Sequence, residues 1–144
     1  MTDCEDISSG FQSLHIDGNP FVGYRNEIPA ALRKTIDIKD YHSADAIAML
    51  QKLSGKRHTV FSGVCILIGG KCHTFTARTD VWFREMTEEE IVFYVDNYKP
   101  FDKAGAYAVQ EWIGAAAISR MEGSYYNVVG LPTQMLYVKL AEVV

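Results

Sequence analysis

Two long extended runs separated by Gly69-Gly70 constrain the fold of this chain more than any other sequence feature. The first run extends from about Arg57 to Ile68 and the second from Lys71 to Arg84. In the second run apolar and polar residues alternate, as in a strand with one buried and one exposed face. A Gly-Gly pair supplies the positive φ angles that a tight hairpin loop requires. The sequence therefore predicts a long β-hairpin.

Helical patterns lie on both sides of this hairpin. Before it, Ser43 is the expected N-cap of a helix that ends near Gly55, with one apolar face made by Ala46, Ile47, Leu50 and Leu53. After it, the Thr87–Glu90 segment reads as a capping box for a helix over 91–97, an acidic metal cluster being the less favoured alternative. Pro132 is expected to start a last helix whose Leu136 and Leu140 face the core.

The chain divides into an atypical segment over residues 1–42 and a regular domain over residues 43–144. The first part is acidic, interrupted by glycine and proline, and follows neither a strand nor a helix period, so we expect a partly ordered arm with one short strand. With 144 residues, 48% of them hydrophobic, the chain is expected to form a single core.

Charge and cysteine content exclude several classes of protein. A net charge of −4 argues against a surface built for nucleic-acid polymers. The three cysteines form neither a disulfide framework nor a metal clip, and Cys65 is expected to be a small core residue, which favours a reducing compartment. Since no run approaches the ~20 apolar residues of a membrane span and no leader pattern is evident, a soluble, cytoplasmic protein is expected.

The densest polar constellation is the segment 102–110. Lys103 beside a flexible Gly105 could approach a phosphate closely, and the amide of Gln110 could read the edge of a nucleobase. On composition alone, however, a solvent-exposed loop leading into a buried strand is the commoner structure for such a segment.

A second constellation occupies residues 123–132, where glycines flank two tyrosines and Asn127. Two interpretations are equally favoured. The segment either forms a binding wall before the last helix, or it is a structural strand and turn in which Asn127 bonds its own backbone. No hydrolase elbow, P-loop or dinucleotide fingerprint occurs, and the four histidines are too scattered to predict a metal site.

These two segments, in this order and with this spacing, resemble the Maf (septum formation) family of nucleoside triphosphate pyrophosphatases. The resemblance covers residues 45–140 and includes weaker matches at residues 46–55, 62–64 and 81–83. The variants at Gln110 and at residues 125–129 look like the branch that hydrolyses dTTP and UTP.

The resemblance implies an α/β fold with a mixed, bent β-sheet flanked by helices. It also implies a reaction in which water attacks the α-phosphate of a nucleoside triphosphate, aided by Mg²⁺ or Mn²⁺, to give a monophosphate and pyrophosphate. By motif, Asp102 and Lys103 would be catalytic, while Lys39, Gly105 and Gln110 would bind substrate. The metal ligands stay unknown, and a homodimer is left open.

Two family motifs do not occur in this sequence. These are the Ser-x-Ser-Pro-Arg-Arg phosphate loop and the Ala-Asp-Thr segment whose aspartate is taken as the general base. The leading hypothesis is therefore a pyrophosphatase of the dTTP/UTP type. The alternatives are a catalytically inactive nucleotide-binding or interaction module and a truncated reading frame.

Overall fold

The computed structural model describes residues 11–16, 19–21 and 43–144. In chain order the elements are β1 (Phe11–Ile16), β2 (Asn19–Phe21), α1 (Ser43–Leu53), β3 (Arg57–Ile68), β4 (Lys71–Phe83), α2 (Glu88–Tyr98), a 3-10 turn (Ala104–Ala106), α3 (Trp112–Ala117), β5 (Ile118–Glu122), α4 (Tyr125–Val129) and α5 (Thr133–Val143). Among these elements, none of the helices is long and apolar enough to cross a membrane.

The strands form one sheet in the order β2-β1-β3-β4-β5, with helices packed against it. This confirms the predicted α/β class with flanking helices. All the strand pairs in the described ranges are antiparallel, so the parallel pairing of a mixed sheet is not found in that part of the chain. The amino-terminal segment contributes two strands, β1 and β2, where one was predicted.

The predicted hairpin is confirmed as the pair β3 and β4. Its register runs without interruption from Arg57 opposite Trp82 to Ile68 opposite Lys71. Both loop glycines have positive φ, 57° at Gly69 and 78° at Gly70, which explains why glycine occupies both positions. The alternation predicted for β4 is also confirmed, because its buried side chains are Ala77, Thr79, Val81 and Phe83.

The core lies between one face of the hairpin and the helices α1 and α2. The predicted face of α1 is confirmed for Ala46, Leu50 and Leu53, which are fully buried, and Ile47 packs at the margin of the core. These side chains pack with Ile91, Tyr94 and Val95 of α2 and with Val60 and Val81 of the sheet. Burial of this cluster fixes the two helices against the sheet.

The capping box at the start of α2 is confirmed. The Thr87 hydroxyl accepts a hydrogen bond from the Glu90 backbone amide at 3.2 Å, and the Glu90 carboxylate accepts one from the Thr87 backbone amide at 3.1 Å. Glu90 also pairs with Arg84 at 3.0 Å. Lys99, in the left-handed region at φ 47°, ends the helix. The acidic run therefore caps a helix, as the favoured interpretation held.

The prediction that Leu136 and Leu140 face the core is wrong. Leu136 is only half-buried and Leu140 is 37% exposed, because the apolar residues of α5 are spread around the helix instead of forming one stripe.

The prediction of Cys65 as a reduced core residue is also wrong. Cys65 and Cys72 form a disulfide and are neither reduced nor core residues. The hairpin register causes this: it places Cys65 opposite Thr74 and Cys72 opposite Leu67, so the cysteines are diagonal neighbours on one face.

Candidate functional site

The polar loop, defined as residues 102–110, connects α2 to α3 and turns sharply into the core. Its backbone has positive φ at Gly105 (70°) and Ala106 (58°), and residues 105–109 are buried. The expected exposed loop leading into a buried strand is therefore wrong, since the buried part is a 3-10 turn followed by irregular backbone. Because only glycine adopts positive φ without strain, Gly105 allows this turn.

Hydrogen bonds made by two buried tyrosines, Tyr94 and Tyr107, fix the position of the polar loop. The Tyr94 hydroxyl of α2 accepts the Ala108 amide at 3.0 Å. The Tyr107 hydroxyl and Nε2 of His58 share a hydrogen bond of 2.6 Å, and the His58 ring stacks on Phe83 at 5.2 Å between centroids. Burial lowers the pKa of His58 to about 4, so the imidazole is neutral near pH 7. These contacts fix the loop to both α2 and the sheet.

The charged side chains of the loop lie together at its start. Lys103 Nζ is 3.6 Å from Asp102 Oδ1, with 33% of the Lys103 side chain and 56% of the Asp102 side chain exposed. Glu111 belongs to the same group. Burial raises the pKa of its carboxyl, whereas the Lys103 charge and a hydrogen bond from the Tyr94 hydroxyl oppose that rise. The cluster is thus one cation between two carboxyl groups.

A groove of about 430 Å³ opens beside the end of the polar loop. It is lined by Val109, Gln110, Glu111, Gly114, Ala115, Ile118, Met121 and Tyr125. Gln110 is exposed there, and Tyr125, which is 45% exposed, begins α4. The groove therefore joins the two constellations that the sequence singled out, and an amide, a carboxyl group and an aromatic ring are among the groups that line it.

The second constellation is a short helix fixed to the sheet, so its prediction as a strand and turn is wrong. Ser124 caps α4 by accepting the Asn127 amide at 3.3 Å. The Asn127 side chain donates to the Thr79 hydroxyl at 2.9 Å and to the Val60 carbonyl at 3.3 Å. A Cβ at Gly123 would lie 2.7 Å from the Thr79 hydroxyl oxygen. This close packing sets the position of Tyr125.

The residues that the resemblance selected lie at the two ends of the polar loop. Asp102, Lys103 and Gly105 lie at its start and Gln110 at its end, and of these four only Gln110 lines the groove. Lys39 falls outside the described residues.

Sequence reasoning did not identify Glu111, Tyr94 or His58 as residues of the site. For Glu111 a signal was available, because it directly follows Gln110. Tyr94 and His58 lie 14 and 49 residues from their partners in the loop, so their contacts exist only in the fold.

The described residues do not by themselves form a site for the divalent cation that the resemblance implies. Within residues 43–144 and the two short strands, no three His, Cys, Asp or Glu side chains are grouped to hold a metal ion. Asp102 and Glu111 supply two carboxyl groups beside a lysine. Since Mg²⁺ is commonly held by one or two carboxylates together with substrate phosphates and water, these two carboxyl groups alone do not complete a site, and no step is assigned to a metal.

Comparison with known proteins agrees with this architecture. Residues 38–143 match the family model described as Maf-like protein. The chain is 50% identical over 102 residues to the dTTP/UTP pyrophosphatase of Phocaeicola vulgatus, covering 71% of this chain and 53% of that protein. It is 52% identical over 99 residues to that of Christiangramia forsetii, covering 69% and 50%. It is 54% identical over 95 residues to that of Bacteroides thetaiotaomicron, covering 66% and 49%.

The chain spans about half the length of the curated relatives it matches. The matched region of this chain, residues 38–143, contains the hairpin, the polar loop and the groove, which are the described parts of the candidate site.

Proposed function

We propose that this chain, which belongs to the Maf-like protein family, hydrolyses a nucleoside triphosphate of the dTTP or UTP type to its monophosphate and pyrophosphate. The observation that carries the proposal is the polar loop. One rigid segment presents a cation, Lys103, at its start and a base-reading amide, Gln110, at a groove at its end. A nucleotide has the matching chemistry, with anionic phosphates at one end and a polar base edge at the other.

Lys103 is assigned to the triphosphate. When water attacks the α-phosphorus, the bond to the bridging oxygen breaks and pyrophosphate leaves, so negative charge develops on the phosphate oxygens. An ammonium group fixed beside them stabilises that charge. Asp102, whose carboxylate lies 3.6 Å from Lys103 Nζ, orients the lysine. We assign Lys39 a further contact with the substrate, as the resemblance implies.

The buried hydrogen bonds beneath the loop give the site its rigidity. Tyr94 of α2 bonds the Ala108 amide and His58 of β3 bonds the adjacent Tyr107, so this part of the loop is held by two elements. Catalytic groups held in place before the substrate arrives lose less free energy on binding it. We also propose that Mg²⁺ or Mn²⁺ accompanies the triphosphate.

A second candidate is a nucleotide-binding module without turnover. It is favoured by one observation, that no three metal-ligating side chains are grouped in the described part of the chain. Such a module would bind dTTP and raise its own melting temperature without consuming the nucleotide, since a ligand specific for the folded state stabilises it.

The test is pyrophosphate release from dTTP, UTP, CTP, GTP and ATP with Mg²⁺ or Mn²⁺. Lys103→Ala should lower turnover about 10²–10³-fold, whereas the exposed Lys71→Ala at the hairpin loop should leave it unchanged. Gln110→Ala should change the order of preference among the bases, and the exposed Gln134→Ala on α5 should not.

The outcomes separate the two candidates. Turnover that depends on Lys103 supports hydrolysis. A folded wild-type chain that is stabilised by dTTP and releases no pyrophosphate supports the binding module. If dTTP is neither bound nor hydrolysed, both candidates are wrong.

A further inference from the structure

We propose that Glu111 selects the base, by accepting the hydrogen bond of the N3–H group that uracil and thymine carry and cytosine lacks. This inference rests on the proposed nucleotide function and adds to it a residue that decides between pyrimidines. It concerns binding in the groove and not the hydrolytic step.

The placement of Glu111 supports this role. It lines the groove directly beside Gln110, so two adjacent residues present an amide and a carboxyl group to the same space. Glu111 is also the residue that precedes α3, where a side chain often caps the helix, yet its carboxylate makes no capping hydrogen bond. The Glu111 carboxylate is therefore not used to cap α3.

The described surroundings of this carboxyl group leave acceptor capacity on it. The Tyr94 hydroxyl lies near the Glu111 side chain and lowers the pKa of its carboxyl. A carboxylate has two oxygens and about four lone-pair sites, so acceptor sites remain for a ligand. Burial raises the pKa of this carboxyl and the nearby Lys103 charge opposes that rise. In its ionised form the group is an acceptor only.

Hydrogen-bond complementarity then distinguishes the pyrimidines. The edge of uracil or thymine reads acceptor, donor, acceptor, with N3–H between the two carbonyl oxygens. A carboxylate opposite N3–H and the Gln110 amide donating to a neighbouring carbonyl satisfy this edge. Cytosine presents an unprotonated N3 acceptor, which an ionised carboxylate repels. An unmet polar contact of this kind lowers affinity about tenfold to hundredfold.

Tyr125, which also lines the groove, suits a pyrimidine ring without choosing among the bases. Its side chain is 45% exposed and packs edge to face with Tyr126 at 5.6 Å between centroids. Aromatic stacking stabilises every base because each has a π-face. Discrimination between bases therefore depends on the polar groups of the lining, Glu111 and Gln110.

The experiment measures binding separately from hydrolysis, by calorimetry of the full chain with the α,β-imido analogues of UTP and CTP. The wild type should bind the uridine analogue at least about tenfold tighter than the cytidine analogue. Glu111→Gln, whose amide can either donate or accept, should bring the two affinities within about threefold. The exposed Glu89→Gln on α2 is the matched control and should keep the wild-type ratio.

Substitution of Tyr125 separates the contribution of aromatic stacking from that of base selection. Tyr125→Ala should weaken both analogues by a similar factor and leave their ratio unchanged, while Tyr125→Phe should retain affinity. An unchanged ratio in Glu111→Gln would overturn the proposal, as would a wild type that binds neither analogue. If the ratio collapses as expected but UTP is not hydrolysed, base selection stands and only the proposed hydrolysis fails.

Discussion

Acidification should destabilise the fold through one buried histidine. His58 is 1% exposed, and burial lowers its pKa from 6.5 to about 4. In the unfolded chain the imidazole takes up a proton near pH 6.5, whereas in the folded chain it stays neutral until about pH 4. Between these values the unfolded state binds more protons, so the free energy of unfolding falls as the pH falls.

The size of the effect follows from the shift. Each pKa unit corresponds to about 1.36 kcal/mol, which gives a total of about 3 kcal/mol. About 2 kcal/mol of this should be lost between about pH 7 and about pH 5. Urea unfolding followed by tryptophan fluorescence at the two pH values measures it.

The informative comparison is with His58→Gln. Glutamine offers Tyr107 a hydrogen-bond partner at the same end of the side chain but does not titrate, so this variant should lose about 2 kcal/mol less than the wild type over that pH range. The carboxyl groups common to both proteins cancel in the difference. His73→Gln, in β4 near the hairpin loop, is the control. Equal acid sensitivity of wild type and His58→Gln would refute the reasoning.

Three further substitutions test the packing around the site. Gly114→Ala places a Cβ against the Val109 carbonyl oxygen and should cost about 3 kcal/mol in urea unfolding. Gly63→Ala, with open space around it, should change stability by no more than about 1 kcal/mol. Equal effects of the two substitutions would contradict the clash. Thr79→Val removes the hydroxyl bonded by Asn127 and should cost about 2 kcal/mol by thermal unfolding, with Thr79→Ser close to wild type; no difference between the two would contradict the role of that hydroxyl. Thr87→Ala removes the cap of α2 and should cost about 1 kcal/mol, measured by denaturant unfolding; an unchanged midpoint would contradict the capping role.

Local sequence patterns predicted the elements whose stability is mainly local. The Gly69-Gly70 loop defined the hairpin because its backbone geometry demands glycine, and the capping box defined the start of α2 because its bonds span only three residues. In both cases the interacting groups are neighbours in the sequence. Such elements carry their own signal.

Contacts between distant residues explain what the sequence did not predict. Within the 123–132 segment, Tyr125–Val129 form a helix in which Asn127 bonds Thr79 of the sheet. This partner is 48 residues away, so the local sequence does not indicate the contact. The disulfide between Cys65 and Cys72 depends on the hairpin register, which spacing alone does not give. Polar partners supplied by the tertiary fold override local preference at such positions.

The candidate site was predictable in part. Lys103 and Gln110 followed from the resemblance and lie on one loop beside the groove, although only Gln110 lines it. Glu111 directly follows Gln110 in the sequence, but it was not predicted to belong to the site because its proximity to Tyr94 and Lys103 exists only in the fold.

The most direct test of the central claim is UTP hydrolysis by the full chain in H₂¹⁸O, with Mg²⁺ or Mn²⁺ present and the products resolved by ³¹P NMR. Attack of water on the α-phosphorus predicts UMP carrying one ¹⁸O atom and unlabelled pyrophosphate, with both products suppressed in Lys103→Ala. Formation of UDP and phosphate, ¹⁸O in the pyrophosphate, or a folded wild type that leaves UTP intact would contradict the account.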